Sequence, residues 1–312
     1  MRKILTLAAA AVLFTGIAAA QTPEAKEFLE RYNLLVSKLG ASGVGIETLL
    51  DRWEAAYPDD PDMLTGKFSY WLAKSGTTSI VTKDQAKFLG EKPVFSLKDS
   101  TGKDVNYFEE TVYDDDLFGK AQKALEKAIQ AYPDRLDFRF LKSSSLVGYE
   151  KESPDMALSD LKSLIDYNFT SHPSWQYPGQ DNVNDEFFSS AIQEYCYVFF
   201  KYATPASFGA FRSLSEKMLF YRPDDVLFLD NIGSYYLVAQ RDYKTAKKYY
   251  TKVLKLKKDD VTAIRNLIIL SKATKDEKSE KKYLPMMIQY APDESTRLSS
   301  QARLDFLNGK QQ

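Results

Sequence analysis

The residue types that most often do nucleophilic or metal chemistry are scarce here, with one histidine and one cysteine in 312 residues. His172 lies beside Pro173, and no nucleophile elbow stands near it, so the sequence indicates neither a Ser-His-Asp nor a Cys-His arrangement. One His and one Cys cannot form a typical zinc site. There is no Walker loop and no dinucleotide fingerprint. No metal, cofactor or enzymatic activity is therefore expected. Cys196 sits within Tyr195-Cys196-Tyr197-Val198-Phe199-Phe200, which predicts a buried, inert thiol. A pair of carboxylates could still meet in space to do acid–base work, but no spacing singles out one pair.

Two acidic clusters offer several oxygen ligands, Asp114-Asp115-Asp116 and Asp181-Asn182-Val183-Asn184-Asp185-Glu186. Neither has the alternating order, central glycine and distant glutamate of a calcium loop. Both fall where a helix should begin, so capping and favourable interaction with the helix dipole are the expected roles. Trp175 and Tyr177 stand in a polar loop with Pro178 and Gly179. Exposed, they could stack on a glycan or anchor a protein partner. The preferred reading is that they fold back and pin the loop.

These residues must be positioned by elements that the apolar pattern reveals. Arg2 and Lys3 precede an apolar run from Ile4 to Ala20 that ends in Ala18-Ala19-Ala20. That order reads as a secretory signal at 1–20, cleaved near Ala20, and predicts a periplasmic or secreted protein. No later stretch is apolar enough to span a bilayer. Setting aside Arg2 and Lys3 leaves 40 of the 42 basic residues against 43 acidic ones. A balance that even gives no pull toward nucleic acid or anionic membrane. With one cysteine the chain has no internal disulfide, so packing must supply its stability.

A short signature recurs along the chain: Tyr57-Pro58-Asp59-Asp60, Tyr132-Pro133-Asp134, Tyr221-Arg222-Pro223-Asp224-Asp225 and Tyr290-Ala291-Pro292-Asp293-Glu294, with Leu256-Lys257-Lys258-Asp259-Asp260 as a degenerate copy. Each copy ends one amphipathic stretch and starts the next, the proline stopping a helix and the aspartate capping its successor. Pro223 and Lys258 are 35 residues apart, Lys258 and Pro292 34. This is the period of a helix-turn-helix repeat. The intervals Pro58–Pro133, 75 residues, and Pro133–Pro223, 90 residues, could each hold two units plus an insertion.

Around that period the chain resembles the tetratricopeptide repeat family, through Leu229, Ile232, Gly233 and Tyr236 in one predicted helix and Ala246, Tyr250 and Leu254 in the next. Asn231 recurs as Asn266, and Ala121, Leu125, Ala128 and Pro133 match another half-unit. The pattern is broken by one residue inserted between Tyr236 and Ala246, by Lys258 for proline, by Ile268 for a small residue, and by Glu280 for alanine. Pro285 falls inside a predicted helix, which it should kink. The resemblance implies an all-α fold, a right-handed α-solenoid of TPR-like helical hairpins. It also implies an interaction scaffold that holds a protein or peptide along the concave face formed by first helices. Carried over residue by residue, Asp230, Ser234, Arg265, Asn266 and Ile269 would bind that partner.

The expected organisation is a signal at 1–20, a helical-repeat region at 21–167 with an insertion at 76–113, a long loop at 168–185, and repeats with a capping helix at 186–312. Alternation in Val94–Leu97 and Asp104–Phe108 around a Gly102 turn predicts a β-hairpin in the insertion.

Overall fold

The computed structural model describes residues 23–309, so the predicted signal lies outside the described residues. The described residues divide into two compact units, unit 1 ending at Glu194 and unit 2 beginning at Tyr195. In order, the elements are α1 (Pro23–Leu39), α2 (Ile46–Ala56), α3 (Pro61–Ser75), β1 (Gly76–Lys83), β2 (Phe95–Lys98), β3 (Asp104–Tyr113), α4 (Asp115–Ala131), α5 (Leu136–Tyr149), α6 (Asp155–Ser171), α7 (Asp185–Tyr202), α8 (Pro205–Tyr221), α9 (Val226–Ser234), a π-helical turn (Tyr235–Ala239), α10 (Tyr243–Leu256), α11 (Val261–Ala273), α12 (Glu277–Tyr290) and α13 (Glu294–Leu307). The fold is all-α, built of TPR-like helical hairpins with one small sheet.

The recurring signature does what its chemistry dictates. At Tyr57, Tyr132, Arg222 and Lys257 a backbone N–H closes the ending helix onto the carbonyl four residues back, at 2.7 or 2.8 Å. Asp60 then accepts from Asp62 N and Met63 N, Asp225 from Leu227 N, Asp260 from Ala263 N, and Asp293 from Thr296 N. A second tie repeats in both units. Lys127 donates to Pro58 O at 2.6 Å, and Lys252 to Pro223 O at 2.9 Å. Each lysine stands six residues before its own turn and reaches back to the preceding one.

In unit 1, Tyr32, Trp53, Leu64, Phe68, Leu125 and Phe138 fill a core shared by α1 to α5, with Phe28 stacked on Trp53 at 5.8 Å. The interval Pro58–Pro133, long enough for two units, holds one hairpin, α3 and α4. Its extra residues are 76–113, which form a sheet inside the hairpin's own loop. Asp114 N donates to Ser75 O at 2.8 Å and closes the neck of that insertion. The predicted hairpin is β2 and β3, but the sheet has three strands in the order β1-β3-β2, all antiparallel. β1 was not predicted. An isolated two-stranded ribbon is marginal in water, and the third strand supplies the missing pairing.

The interval Pro133–Pro223 does hold two helix pairs, α5–α6 and α7–α8, and α6 continues to Ser171. His172 then stops it in the left-handed region at φ 48°. Asp114 caps α4 through Leu117 N, and Asn184 accepts from Phe187 N at the start of α7, as the capping reading of both acidic clusters expects. In unit 2, α8 to α13 pack each on the next. α12 runs through Pro285 as one helix.

Two departures from the repeat pattern have structural answers. The residue inserted between Tyr236 and Ala246 is absorbed by the π-helical turn, where Gln240 N donates to Tyr235 O at 3.2 Å, five residues back. Such a turn takes one extra residue without breaking the helix. Glu280 in place of alanine is buried and accepts two N–H groups of Arg303 at 2.8 and 2.9 Å, tying α13 onto α12. Among the described residues no helix is long and apolar enough to cross a membrane.

Candidate functional site

The loop after α6 is anchored at both rings. Trp175 Nε1 donates to the buried Asn168 Oδ1 at 2.7 Å, and the indole lies 5.7 Å from the Tyr167 ring with the Arg139 guanidinium over it. Tyr177 sits half-buried between Phe140 at 6.3 Å and Phe187 at 5.3 Å. Between them Gln176 exchanges backbone hydrogen bonds with the segment before α5: Gln176 N to Asp134 O, and Leu136 N to Gln176 O. Both rings are occupied in pinning the loop.

In unit 2 the carried-over residues separate into two sets. Arg265 and Ile269 are exposed on α11, and Leu227 is exposed on α9. Asp230, Ser234 and Asn266 instead turn toward one another around Tyr250 of α10. The Tyr250 hydroxyl lies 3.0 Å from Ser234 Oγ and hydrogen-bonds the Asn266 side chain. Its ring fits against Gly233, where a Cβ would come within 2.7 Å of ring carbon, so glycine is what admits it. Burial pushes the Tyr250 hydroxyl pKa up.

This arrangement is the local form of a repeating one. Asn231 Nδ2 donates to Ser215 Oγ of α8 at 3.1 Å. Asn266 and Tyr250 stand 35 residues after Asn231 and Ser215, so each asparagine ties a first helix to the helix before it. Cys196 lies on the other side of the same serine. Its Sγ lies 3.6 Å from Ser215 Oγ, and burial pushes the thiol up to about 12, which leaves it inert at neutral pH.

The unusual group is Asp230. It is 7 % exposed, and among the described residues its Oδ1 has no hydrogen-bond partner. Burial first, then the Asp260 charge and a hydrogen bond between the two side chains, push the Asp230 carboxyl up to about 8, against a smaller pull from Lys257. Asp260 is itself buried, but both its oxygens are committed: Oδ1 to Ala263 N at 3.1 Å and Oδ2 to Lys257 Nζ at 3.1 Å. Here is the carboxylate pair that no spacing singled out. Each carboxylate oxygen can accept more than one hydrogen bond, and Asp260 also hydrogen-bonds the Asp230 carboxyl, so the pair can share a proton. Among the described residues there is no cluster of His, Cys, Asp and Glu placed to hold a metal.

Sequence reasoning named Asp230, Ser234 and Asn266 as site residues but not Tyr250 and Asp260, which it read as a position of the repeat pattern and as a cap. The 35-residue spacing of Asp225 and Asp260 shows that both cap helices. It gives no sign that the second cap faces the acid of the previous repeat.

No family model matches the chain, and no curated protein matches it. Among solved structures, Pseudomonas aeruginosa pilF is similar at 14% identity and a TM-score of 0.39, over 62% of this chain and 77% of that one. A flexible tandem repeat domain of bacterial cellulose synthase is similar at 14% identity and a TM-score of 0.27, over 93% and 99%. Similarities this slight transfer no property of either protein to this chain.

Proposed function

We propose that the chain is an exported scaffold that binds a protein or peptide along the face formed by α9 and α11. The observation that supports it is the surface of those two helices. They are first helices of successive hairpins, they touch, and they leave Leu227 and Ile269 exposed at 42% and 47% beside polar Ser234 and Arg265. Apolar side chains set among polar ones on adjoining helices fit a partner that buries the former and is oriented by the latter. Export, to the periplasm or beyond the cell, rests on the predicted signal at 1–20. N-terminal sequencing of the native protein is expected to begin at Gln21, and a retained Met1 would refute it.

Photo-crosslinking tests the surface. A benzoylphenylalanine at Ile269 or Ser234 is expected to give a discrete adduct in an envelope extract, and one at the exposed Lys248 of α10 is not. Equal labelling at all three positions would remove this reading.

A further inference from the structure

Resting on that reading, we infer that Asp230 is the receptor for a basic side chain of the partner, a lysine or arginine inserted beside Ser234 where α9 meets α11. A buried carboxyl oxygen without a donor is costly, and natural structures keep few of them. Asp230 Oδ1 is such an atom among the described residues, and the side chain that hydrogen-bonds the Asp230 carboxyl, Asp260, is a second acid and brings no positive charge. From α10 the Tyr250 hydroxyl is engaged with Ser234 and Asn266. From the turn before α11, Lys257 is held by Asp260 at 3.1 Å, and Asp260 is an acceptor. Asp259, exposed on the same turn, adds negative charge.

The missing group is therefore a cationic donor brought from outside. An ammonium or guanidinium supplies N–H groups to the orphaned oxygen and offsets the repulsion between Asp230 and Asp260. A carboxylate-bearing ligand would add to that repulsion. Among the described residues no third His, Cys, Asp or Glu joins the pair in a cluster that could hold a metal ion.

Binding must ionise Asp230. In the free protein burial and Asp260 keep its proton on up to about pH 8, so docking a cation at lower pH releases that proton. Affinity then rises as the solution pH climbs toward 8, while the partner's lysine or arginine stays charged throughout. The groups that face Asp230 in this titration are Asp260, Lys257 and Tyr250.

The test uses the full chain on an array of peptides of randomised sequence, about 15 residues each, at roughly pH 6 and pH 8.5 and near-physiological salt. Each peptide is printed beside a copy in which every Lys and Arg is norleucine. The expected result is that retained peptides carry Lys or Arg and lose at least about tenfold in their norleucine copies. Retention should rise at least about threefold from the lower pH to the higher, and Asp230→Asn should abolish the preference. Asn266→Lys, which places a cation of the chain's own beside the site, should abolish it as well, and carries the test if Asp230→Asn loses its helical circular dichroism. Retention without a basic preference, a flat pH profile, or variants that bind like the wild type would overturn the inference and leave the interaction surface standing. A wild-type chain that retains no peptide would overturn both.

Discussion

Asp230 holds a proton in the folded protein that it releases when the chain unfolds. Its folded value of about 8 lies above the ordinary 3.8, so the folded state binds more protons between those limits. Stability linked to this group therefore falls as pH rises from about 4 through about 8. Asp230→Asn removes the dependence while keeping the side-chain shape. Urea unfolding should show the variant matching the wild type at about pH 4 and exceeding it at about pH 9, by on the order of 5 kcal/mol. A wild type whose stability did not fall over that range would mean that Asp230 is ionised at neutrality. This residue was legible only as a position on a helix face. Its chemistry came from Asp260, thirty residues on, and from a depth that the sequence pattern does not encode.

Among the elements, the Glu280–Arg303 pair and the inserted sheet give the clearest consequences. Glu280 is buried and its carboxyl is held below the ordinary value, first by hydrogen bonds from Arg303. That contribution is present above about pH 4.5 and lost as pH falls through the lowered folded value. Arg303→Met leaves the carboxylate buried with only the 3.8 Å contact to Lys272, and should cost about 2–4 kcal/mol at neutral pH. Adding Glu280→Met to it should restore most of the loss. Denaturant midpoints of the two variants decide this, and equal losses in both would deny that an uncompensated charge is the cause.

For the sheet, replacing 77–112 with a short glycine-serine link should leave the helices formed, because the neck between Ser75 and Asp114 is already closed. Helical circular dichroism retained in that variant is the expected outcome, and its collapse would show that the sheet holds α3 to α4. The helices were legible because apolar residues recur at helical spacing and the Pro-Asp turns punctuate them. β1 was not, because Gly76-Thr77-Thr78-Ser79-Ile80-Val81-Thr82-Lys83 has no alternation of apolar and polar residues. Its β-branched content was the available signal.

For the whole molecule, packing of each helix on its neighbours in sequence makes stability a sum of local terms within a unit. Ending the chain after Ala291 removes α13, frees Glu280 from Arg303 and uncovers Tyr283, Leu284 and Met287 of α12. Hydrogen exchange should then quicken in α11 and α12 and stay unchanged in α1 to α4. Faster exchange throughout unit 1 would contradict local additivity. The sequence disclosed the period in unit 2 because its two turns are evenly spaced. It concealed the period in unit 1, where 38 extra residues separate Ser75 from Asp114.

Since one hydrogen bond joins the two sides of that neck, the chain leaves the hairpin and re-enters it at nearly the same place. Seen from the helices, 38 residues occupy the footprint of a tight turn. Any foreign module whose ends lie equally close could be spliced between Ser75 and Asp114, and lengthening the protein there would leave the helical layers in their original order. Growth by such side branches requires no change in the stack that bears them.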